Sequence, residues 1–314
     1  MIAHGRSAGR GPLVALLFHM VLTFVLGNVY AGDRYCIHEE EAEADSWLFL
    51  NARDRKAALK RHLPFGMPVS AIDSTNERTL VSWEFVIQYD EALRIPRWVA
   101  YRLDGRGLGA EPDRVNCFRQ DPRIDAPDAS LPSDYDEPIF DQGHLAPSED
   151  MSHTLNRNVN SFIMSNMAPQ HARFNQIIWK RLEGEVRTWA KARKALYVIT
   201  GSMFDDDDNG TPDDPSDAKR MKSKSGKKRV AVPSHFFKIL LHPCADGSTE
   251  SIAFVLPHNN DRHVGEDGKQ YLVDRVTSIA AIEEQSGVQF IPDGIDIDRL
   301  EPQTYWTKQS TCSE

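Results

Sequence analysis

Apolar residues follow two different spacings along this chain, and the change between them separates predicted strands from predicted helices. Short runs rich in β-branched and aromatic residues are typical of strands, because these side chains pack well on a pleated sheet. Such runs cover residues 80–89, 98–103, 138–145, 161–165, 195–201, 230–241 and 252–256. A loop that contains Pro96 is expected between the first two runs.

A helical period begins at Phe174 and continues to Lys194. Its apolar residues recur at spacings of four, four, three and one, which places them on one face of a helix. They are Ile178, Leu182, Val186, Trp189 and Ala190. A second helix is predicted for residues 276–285, and residues 32–60 are compatible with a short helical prefix that carries no evident chemistry.

The first 31 residues have the pattern of a secretory signal peptide. Arg6 and Arg10 precede an apolar stretch at 13–26, and small residues stand at the −3 and −1 positions before Gly32. This order of basic, apolar and small residues is typical of a cleaved signal. A retained anchor is the alternative, but the stretch is short for a membrane span and His19 interrupts it. We therefore expect a secreted or periplasmic protein without a stable membrane anchor.

Charge and composition are those of a globular, acidic protein. The 314 residues are 40% hydrophobic and 26% charged, with 37 basic and 46 acidic side chains. Removal of residues 1–31 deletes two arginines and no acids, so the mature net charge is 35 − 46 = −11. That total disfavours a protein that wraps a polyanion tightly, although a local basic cleft remains compatible with it.

The four cysteines all lie beyond the predicted cleavage site, at positions 36, 117, 244 and 312. An even number in an exported protein permits two disulfides, with three possible connectivities. The spacing is too scattered for a compact zinc site. Four free buried thiols are the alternative.

The sequence Asp141-Gln142-Gly143-His144 ends the predicted strand at 138–145. Gly143 gives the backbone freedom that would place His144 at the tip of the strand. With an unperturbed pKa of about 6.5, a histidine is mostly neutral at pH 7 and can accept a proton from water. The alternative is a structural ring that is satisfied by its neighbours, but the asparagines downstream favour a chemical role.

Asn175 and Glu183 stand eight residues apart in the predicted helix. They would differ by about 80° around the helix axis and about 12 Å along it. Both side chains can then face one cleft, but they are too far apart to bind one small cation directly together. Mg²⁺ keeps several waters and takes only one or two protein ligands. The spacing therefore predicts Asn175 as a direct ligand and Glu183 as a residue that acts through water; a helix-initial Asn and a solvent-facing Glu are the alternative.

Three sequence blocks occur in one order, and they carry a family resemblance. The blocks are Asp141-Gln142-Gly143-His144-Leu145-Ala146-Pro147, then Ser165-Asn166-Met167-Ala168-Pro169-Gln170, then Asn175-Gln176 followed by Trp179 and Leu182-Glu183. Together they resemble the DNA/RNA non-specific endonuclease family, which includes secreted bacterial nucleases and mitochondrial endonuclease G. The resemblance covers roughly residues 64–295 and implies an α+β fold: a central antiparallel sheet with a ββα-metal finger and flanking helices. Residues 32–63 are then an N-terminal extension and residues 296–314 a C-terminal tail.

The resemblance also implies roles for individual residues. His144 would be the general base and Asn175 the Mg²⁺ ligand, with Mn²⁺ as a substitute ion. Glu183 would orient metal-bound water, and Asn166 would help to hold the geometry of the site. DNA and RNA would be the substrates.

An arginine of the family faces the scissile phosphate and stands ahead of an aromatic residue and an Asp-Pro pair. Arg114 occupies that place here, so the resemblance assigns it to the phosphate; Arg119 is a less favoured candidate. A planar guanidinium suits the task because it makes two charge-assisted hydrogen bonds to phosphate oxygens. Gln142 stands where the family usually has arginine, which removes a charge-assisted contact. Since Gln142 can still donate a hydrogen bond to substrate, we expect an altered rate or substrate preference rather than loss of activity.

Two charged runs lie between predicted strands. The acidic run 205–214 matches the opening of a calcium loop, but position twelve is Ser216 instead of the bidentate Glu, so a structural Ca²⁺ is only weakly indicated beside a solvated loop. Asn209-Gly210-Thr211 is also a glycosylation sequon, relevant only in a eukaryotic secretory pathway. The basic run 219–229 would attract phosphates, or would serve as an arm that neutralises the acidic run beside it.

The predicted function is Mg²⁺-dependent hydrolysis of DNA and RNA backbones by a secreted endonuclease. One alternative is a secreted nucleic-acid-binding protein that has lost turnover, which Gln142 and the acidic net charge keep open. Another is a phosphodiesterase of small nucleotides. The sequence leaves the oligomeric state open, with a homodimer among the options.

Overall fold

The computed structural model describes residues 1–2, 34–70, 76–109, 114–222, 230–310 and 312. Contacts divide the chain into two units, Met1–Gly32 and Asp33–Glu314, and every element below lies in the second. The predicted signal peptide, apart from residues 1–2, lies outside the described residues, and so do residues 223–229 of the basic run. In the described part of the chain, no helix has the length and apolar character that crossing a membrane requires.

Strands and helices are mixed along the unit Asp33–Glu314. The strands are β1 (Arg34–Tyr35), β2 (Val69–Ser70), β3 (Glu77–Val81), β4 (Val86–Asp90), β5 (Ile95–Asp104), β6 (Val115–Asn116), β7 (Phe140–His144), β8 (Met167–His171), β9 (Ala195–Met203), β10 (His235–Pro243), β11 (Thr249–Pro257), β12 (Val276–Thr277) and β13 (Val288–Gln289). The α-helices are α1 (His38–Ser46), α2 (Ala52–His62), α3 (Leu155–Ser161), α4 (Lys180–Arg193), α5 (Gly265–Val273) and α6 (Ile279–Ser286). A π-helical segment, Phe174–Trp179, leads directly into α4.

Seven strands form one antiparallel sheet in the order β12-β11-β10-β9-β5-β4-β3. Side chains of β10 alternate between two buried faces, as the period of a strand requires. Phe236 and Leu240 join the core on the side of α4, whereas Phe237 and Ile239 join the core on the side of α2 and α6. The predicted α+β fold with a central antiparallel sheet and flanking helices is thus confirmed.

The single strand predicted for residues 80–89 is wrong, because this run forms the hairpin β3–β4. The hydroxyl of Ser82 accepts hydrogen bonds from the backbone N–H groups of Glu84 and Phe85 at 3.3 Å each, which turns the chain. The predicted loop at Pro96 is also wrong, since Pro96 pairs with Tyr89 inside β5, next to a register shift in β4.

The strand predicted for residues 161–165 is displaced. The Thr154 side chain caps α3 by accepting from the N–H of Arg157 at 3.3 Å, and a short 3-10 turn, Met164–Asn166, follows. The strand that pairs with β7 is β8, which contains Pro169 opposite Gln142. Proline is tolerated there because both strands of a two-stranded sheet are edges. The helix predicted for 276–285 likewise starts later, after β12, where Ser278 caps α6.

Two disulfides, Cys36–Cys117 and Cys244–Cys312, use all four cysteines. This confirms the prediction of two disulfides and selects one of the three connectivities. The first disulfide ties the predicted N-terminal extension to the body of the unit, and the second ties the C-terminal tail to the turn between β10 and β11.

Candidate active site

The hairpin β7–β8 carries the histidine motif, with His144 opposite Met167 at the end of the ladder. Gly143 does not adopt a positive φ, so the expectation that it supplies unusual backbone freedom is wrong. A Cβ at Gly143 would instead lie 2.2 Å from Oε1 of the buried Gln170 side chain. Close packing between the two strands is therefore the reason for glycine beside His144.

The helical part of the motif begins as a π-helix rather than an α-helix. The N–H of Lys180 donates to the carbonyl of Asn175, five residues earlier. The 80° angle predicted between Asn175 and Glu183 assumed α-helical turns throughout and does not apply. The apolar stripe from Ile178 to Ala190 is buried as predicted, and π-helical turns are frequent at functional sites.

A cavity of about 750 Å³ opens between the end of β7 and the start of α4. Five of the six predicted site residues line it, namely Arg114, Gln142, His144, Asn175 and Glu183. The fold therefore brings together side chains that are up to 69 positions apart in sequence (183 − 114). The sixth residue, Asn166, lies behind the cavity wall.

Asn166 is fully buried and holds the chain that leaves β7. Its Oδ1 accepts from the N–H of Ala146 at 3.0 Å, and its Nδ2 donates to the carbonyls of Ala146 at 2.9 Å and Ser161 at 2.8 Å. The backbone of Asn166 also accepts from the N–H of Leu145 at 3.0 Å. Such a contact set fits the predicted role in site geometry and places no atom of Asn166 on the cavity surface.

The His144 ring is half-buried between two phenyl rings, whose centroids lie 5.9 Å (Phe118) and 4.8 Å (Phe162) away. Its Nε2 has no hydrogen-bond partner among the described residues, so packing orients the ring. Burial, and then the positive charge of Arg114, lower the pKa of His144 to about 3. The ring is consequently neutral at physiological pH, which is the protonation state that a base requires.

Arg114 lines the cavity and is held by three contacts. Its Nε donates to Asn116 Oδ1 at 2.9 Å, one terminal nitrogen donates to Ser148 Oγ at 3.2 Å, and its guanidinium carbon lies 5.0 Å from the centre of the Phe162 ring. Arg119 is different, because it is buried and bound to Asp45 and to backbone carbonyls. The position of Arg114 therefore suits a substrate phosphate, whereas Arg119 is structural.

The amide of Asn175 is oriented by Asp141. Its Nδ2 donates to Asp141 Oδ2 at 2.9 Å, and Gln176 donates to the same oxygen at 2.8 Å. Because the amide nitrogen is committed, the amide oxygen is the atom left for a cation. Asp141, Glu149 and Glu183 add carboxylates to the same cavity. Oxygen donors of this kind fit Mg²⁺, Mn²⁺ or Ca²⁺ and do not fit a soft metal ion.

Glu183 lines the cavity and belongs to a buried group of charges. Burial raises the pKa of Glu183 to about 8, an effect that the nearby charge of Lys238 opposes and that of Asp150 reinforces. Lys238 is 1% exposed, donates to Thr200 Oγ1 at 3.1 Å and lies 4.5 Å from the Trp179 ring centre. A divalent cation in the cavity would favour the ionised form of Glu183.

The sequence interpretation missed two contributors, Asp141 and Lys238. Asp141 stands three residues before His144, which could have marked it as a site residue. No neighbouring residue in the sequence indicates that it orients Asn175. Lys238 interrupts the apolar run of β10 on the face toward α4, and a lone cation in such a run is the pattern of a buried charge.

The acidic run 205–214 mostly caps its own backbone. Asp205 accepts from the N–H groups of Asn209 at 2.9 Å and Gly210 at 3.0 Å, and from the Gln285 amide at 2.7 Å. Carboxylate oxygens of Asp205 and Asp208 lie within 4.8 Å of a His235 nitrogen. The Ca²⁺ site stays a prediction, and Lys219, the first cation of the basic run, lies 2.8 Å from Asp206.

Known proteins match this chain over the same region. The profile of a family described as DNA/RNA non-specific endonuclease matches residues 67–294. Mitochondrial endonuclease G of Bos taurus is 32% identical over 212 residues, which cover 67% of each chain. Nuclease C1 of Cunninghamella echinulata var. echinulata is 32% identical over 243 residues, covering 76% of this chain and 90% of the relative. A nuclease of Nostoc sp. is 28% identical over 242 residues, covering 73% of this chain and 80% of the relative.

Proposed function

We propose that this protein cleaves both DNA and RNA with Mg²⁺ and with His144 as general base. The chain belongs to the DNA/RNA non-specific endonuclease family. It is thus a hydrolase that acts on phosphodiester bonds. The observation that carries this proposal is the shared cavity of His144, Asn175 and Arg114. A neutral base, an oxygen donor for a hard cation and a guanidinium in one cavity are the parts that hydrolysis of a phosphodiester needs.

In the proposed reaction, a ring nitrogen of His144 accepts the proton of the attacking water. The guanidinium of Arg114 donates hydrogen bonds to phosphate oxygens as negative charge builds on them. The amide oxygen of Asn175, which Asp141 holds in place, would bind the cation, with Glu183 next to it. When bound, Mg²⁺ supplies Lewis-acid stabilisation of the phosphate and of the leaving oxygen. These groups contact phosphate, which carries no base sequence, so cleavage is expected to be non-specific.

Gln142 is a neutral side chain that can donate a hydrogen bond to substrate. It lines the cavity, and its amide donates to the carbonyl of Pro132 at 3.5 Å, a long bond that substrate could replace. Compared with an arginine, it offers a phosphate a neutral hydrogen bond. We therefore expect the protein to bind substrate less tightly than a Gln142→Arg variant would, with the proton transfer to His144 unaffected.

Export of the protein is part of the same proposal. The basic, apolar and small residues of 1–31 and the pairing of all four cysteines support a secreted or periplasmic location. Amino-terminal sequencing of protein recovered from outside the cytoplasm tests it, and a mature chain that begins at Gly32 is the expected result. A chain that retains residues 1–31 would contradict cleavage.

Plasmid nicking tests the activity, with Mg²⁺ or EDTA, for the mature protein, for His144→Ala and for the control His153→Ala outside the cavity. We expect Mg²⁺-dependent nicking that His144→Ala lowers by about 10²–10⁴-fold and that His153→Ala retains. Equal rates for His144→Ala and the wild type would exclude His144 as the base. Binding of DNA without cleavage would favour a binding protein, and turnover of small phosphodiesters alone would favour a phosphodiesterase.

A further inference from the structure

Arg114 is carried by a segment that the main sheet does not support. The segment continues into β6, which among the described residues pairs only with β1, in parallel: Arg34 stands opposite Val115 and Tyr35 opposite Asn116. A two-residue ladder is too short to be stable alone. Other contacts therefore hold this segment: the N–H of Val115 donates to Asn158 Oδ1 at 3.0 Å, and residues 34–46 make further contacts.

The contacts of residues 34–46, here called the N-terminal clamp, fasten them to Cys117, to Arg119 and to α3. Cys36 and Cys117, each directly after its strand, form a disulfide. Asp45 accepts from Nε of Arg119 at 2.9 Å and from a terminal nitrogen at 2.7 Å. The carbonyl of Ala44 accepts from the amide of Asn160 at 2.9 Å. The amide of Asn156 also donates to Glu43 Oε1 at 2.9 Å. Covalent, ionic and hydrogen-bonding contacts thus all hold the clamp.

The clamp also completes a small apolar cluster that reaches the cavity. Ala44, Val115, Cys117, Val159 and Phe162 are buried together, separately from the two cores of the main sheet. Phe162 is the ring that Arg114 covers at 5.0 Å and that the His144 ring meets edge-on at 4.8 Å. Phe118, directly after Cys117, packs on Phe162 at 5.0 Å and lines the cavity.

We propose that the N-terminal clamp is a positioning device for catalysis: it holds the guanidinium of Arg114 over the cavity without touching substrate. The proposal rests on the proposed function for its activity readout. Every residue of the clamp is described, and none lines the cavity. Its contacts reach the site through the segment 114–118 and through Phe162, whose ring lies beside both Arg114 and His144. The functional unit of this enzyme then begins in the N-terminal extension, before the region that the family profile covers.

A double-mutant cycle with the mature protein tests this. The disulfide is removed by Cys36→Ala with Cys117→Ala, in the wild type and in Arg114→Ala, and kcat, KM and the Kd for a short fluorescein-labelled single-stranded DNA are measured. Cys244→Ala with Cys312→Ala is the matched control, since it removes the other disulfide and neither residue lines the cavity. Asp45→Ala is a milder second variant, which keeps the disulfide and removes the ion pair with Arg119.

We expect loss of the Cys36–Cys117 disulfide to lower kcat about tenfold, because a small misplacement of a charge-stabilising group is costly. In the Arg114→Ala background the same change should alter kcat less than about twofold, since the group that the clamp positions is already absent. Asp45→Ala should act in the same direction with a smaller factor. The control disulfide should leave kcat unchanged.

An equal loss of kcat in both backgrounds would overturn the proposal, because the disulfide would then act on general stability or on another residue. Should the double cysteine variant fail to fold, the Asp45→Ala cycle decides by the same criterion. Absence of cleavage by the wild type would contradict the proposed function instead. The role of the clamp is then tested by the Kd for single-stranded DNA. If Arg114→Ala and loss of the disulfide changed the binding free energy additively, the proposal would be overturned.

Discussion

Lys180 is a cation on the helical wall of the cavity, between Asn175 and Glu183 in the chain. In the part of the chain that the structure describes, no hydrogen bond or ion pair engages its ammonium group. A flexible, unpaired ammonium beside a phosphate-binding cavity is suited to a phosphate next to the scissile one. Its positive charge would partly replace the charge that an arginine at position 142 would supply.

We predict that Lys180→Ala removes one phosphate contact. For single-stranded DNA, the slope of log Kd against log salt should fall by about 0.7, since each contact releases condensed counterions. Salt titration in the His144→Ala background with Mg²⁺ measures this without cleavage. Lys191→Ala is the control, an exposed lysine of α4 that does not line the cavity. An unchanged slope for Lys180→Ala would remove Lys180 from the substrate site.

Gly143 lies against the buried Gln170 side chain, with no room for a Cβ atom. Gly143→Ala would place a methyl group against the Gln170 side chain, at 2.2 Å from Oε1 and 2.4 Å from Cγ. Overpacking of this kind costs about 1–3 kcal/mol in the free energy of unfolding, which urea denaturation measures. Gln170→Ala removes the clashing atoms, so the double variant should regain most of the loss. If Gly143→Ala alone were neutral, close packing would not explain this glycine.

Helices and strands could be predicted from the sequence where the spacing of nearby residues determines them. The stripe of Ile178, Leu182 and Val186 repeats at a helical spacing, so the helix and its buried face could be inferred. The turn at Ser82 was missed because it lies inside a run of mainly apolar residues, where a hydroxyl that accepts from backbone N–H groups leaves no periodic signal. The π-helical start of the helix is equally invisible to spacing.

Ion pairs between distant elements left no signal in the sequence. Asp45 and Arg119 are 74 residues apart, and no pattern in either segment indicates their ion pair. The candidate site residues were chosen largely from the three motif blocks, and their roles stay predictions; Asn175 and Glu183 line the cavity, whereas Asn166 does not. Asp141 and Lys238 were missed because their importance depends on which side chain lies next to them.

The C-terminal tail is another such contact between elements. Tyr305 and Trp306 pack against Trp189 of α4 at 5.4 and 5.7 Å, and Arg193 covers the Trp306 ring at 4.1 Å. The Cys244–Cys312 disulfide closes a loop across 68 positions around this packing. The tail is therefore part of the hydrophobic core on the α4 side.

Removal of that disulfide by Cys244→Ala with Cys312→Ala should lower the free energy of unfolding by about 2–4 kcal/mol. The reason is the larger conformational entropy of the unfolded chain. For so long a loop the chain-entropy relation gives about 4.4 kcal/mol, slightly above the range that disulfides typically contribute. Urea denaturation under non-reducing conditions measures the change. The wild type in a thiol reductant should show a larger loss, because both disulfides are then opened, and identical midpoints for all three samples would contradict the argument.

For the whole molecule, acid stability depends on histidines that are held neutral inside the fold. Nδ1 of His62 accepts from the N–H of Arg102 at 3.1 Å, while Nε2 donates to the carbonyl of Trp83 at 3.1 Å. His258 is used in the same way, accepting from the N–H of His171 and donating to Pro233, both at 2.7 Å. Protonation would remove the acceptor in each case. Burial is the main cause that lowers the pKa of His62, and that of His258, to about 3.

These lowered pKa values make the folded state bind fewer protons than the unfolded chain between about pH 6.5 and pH 3. The stability that each histidine contributes is therefore complete above pH 6.5 and is lost as the pH falls, by about 1.4 kcal/mol per pH unit. Buried carboxyls with a raised pKa, such as Glu183, act in the opposite direction, so the difference between wild type and variant is the informative quantity. His62→Gln should destabilise the protein at pH 7 and progressively less at pH 6 and pH 5 in urea denaturation, and His258→Gln should repeat the trend. Parallel curves for wild type and both variants would show that neither ring is the acid-sensitive group.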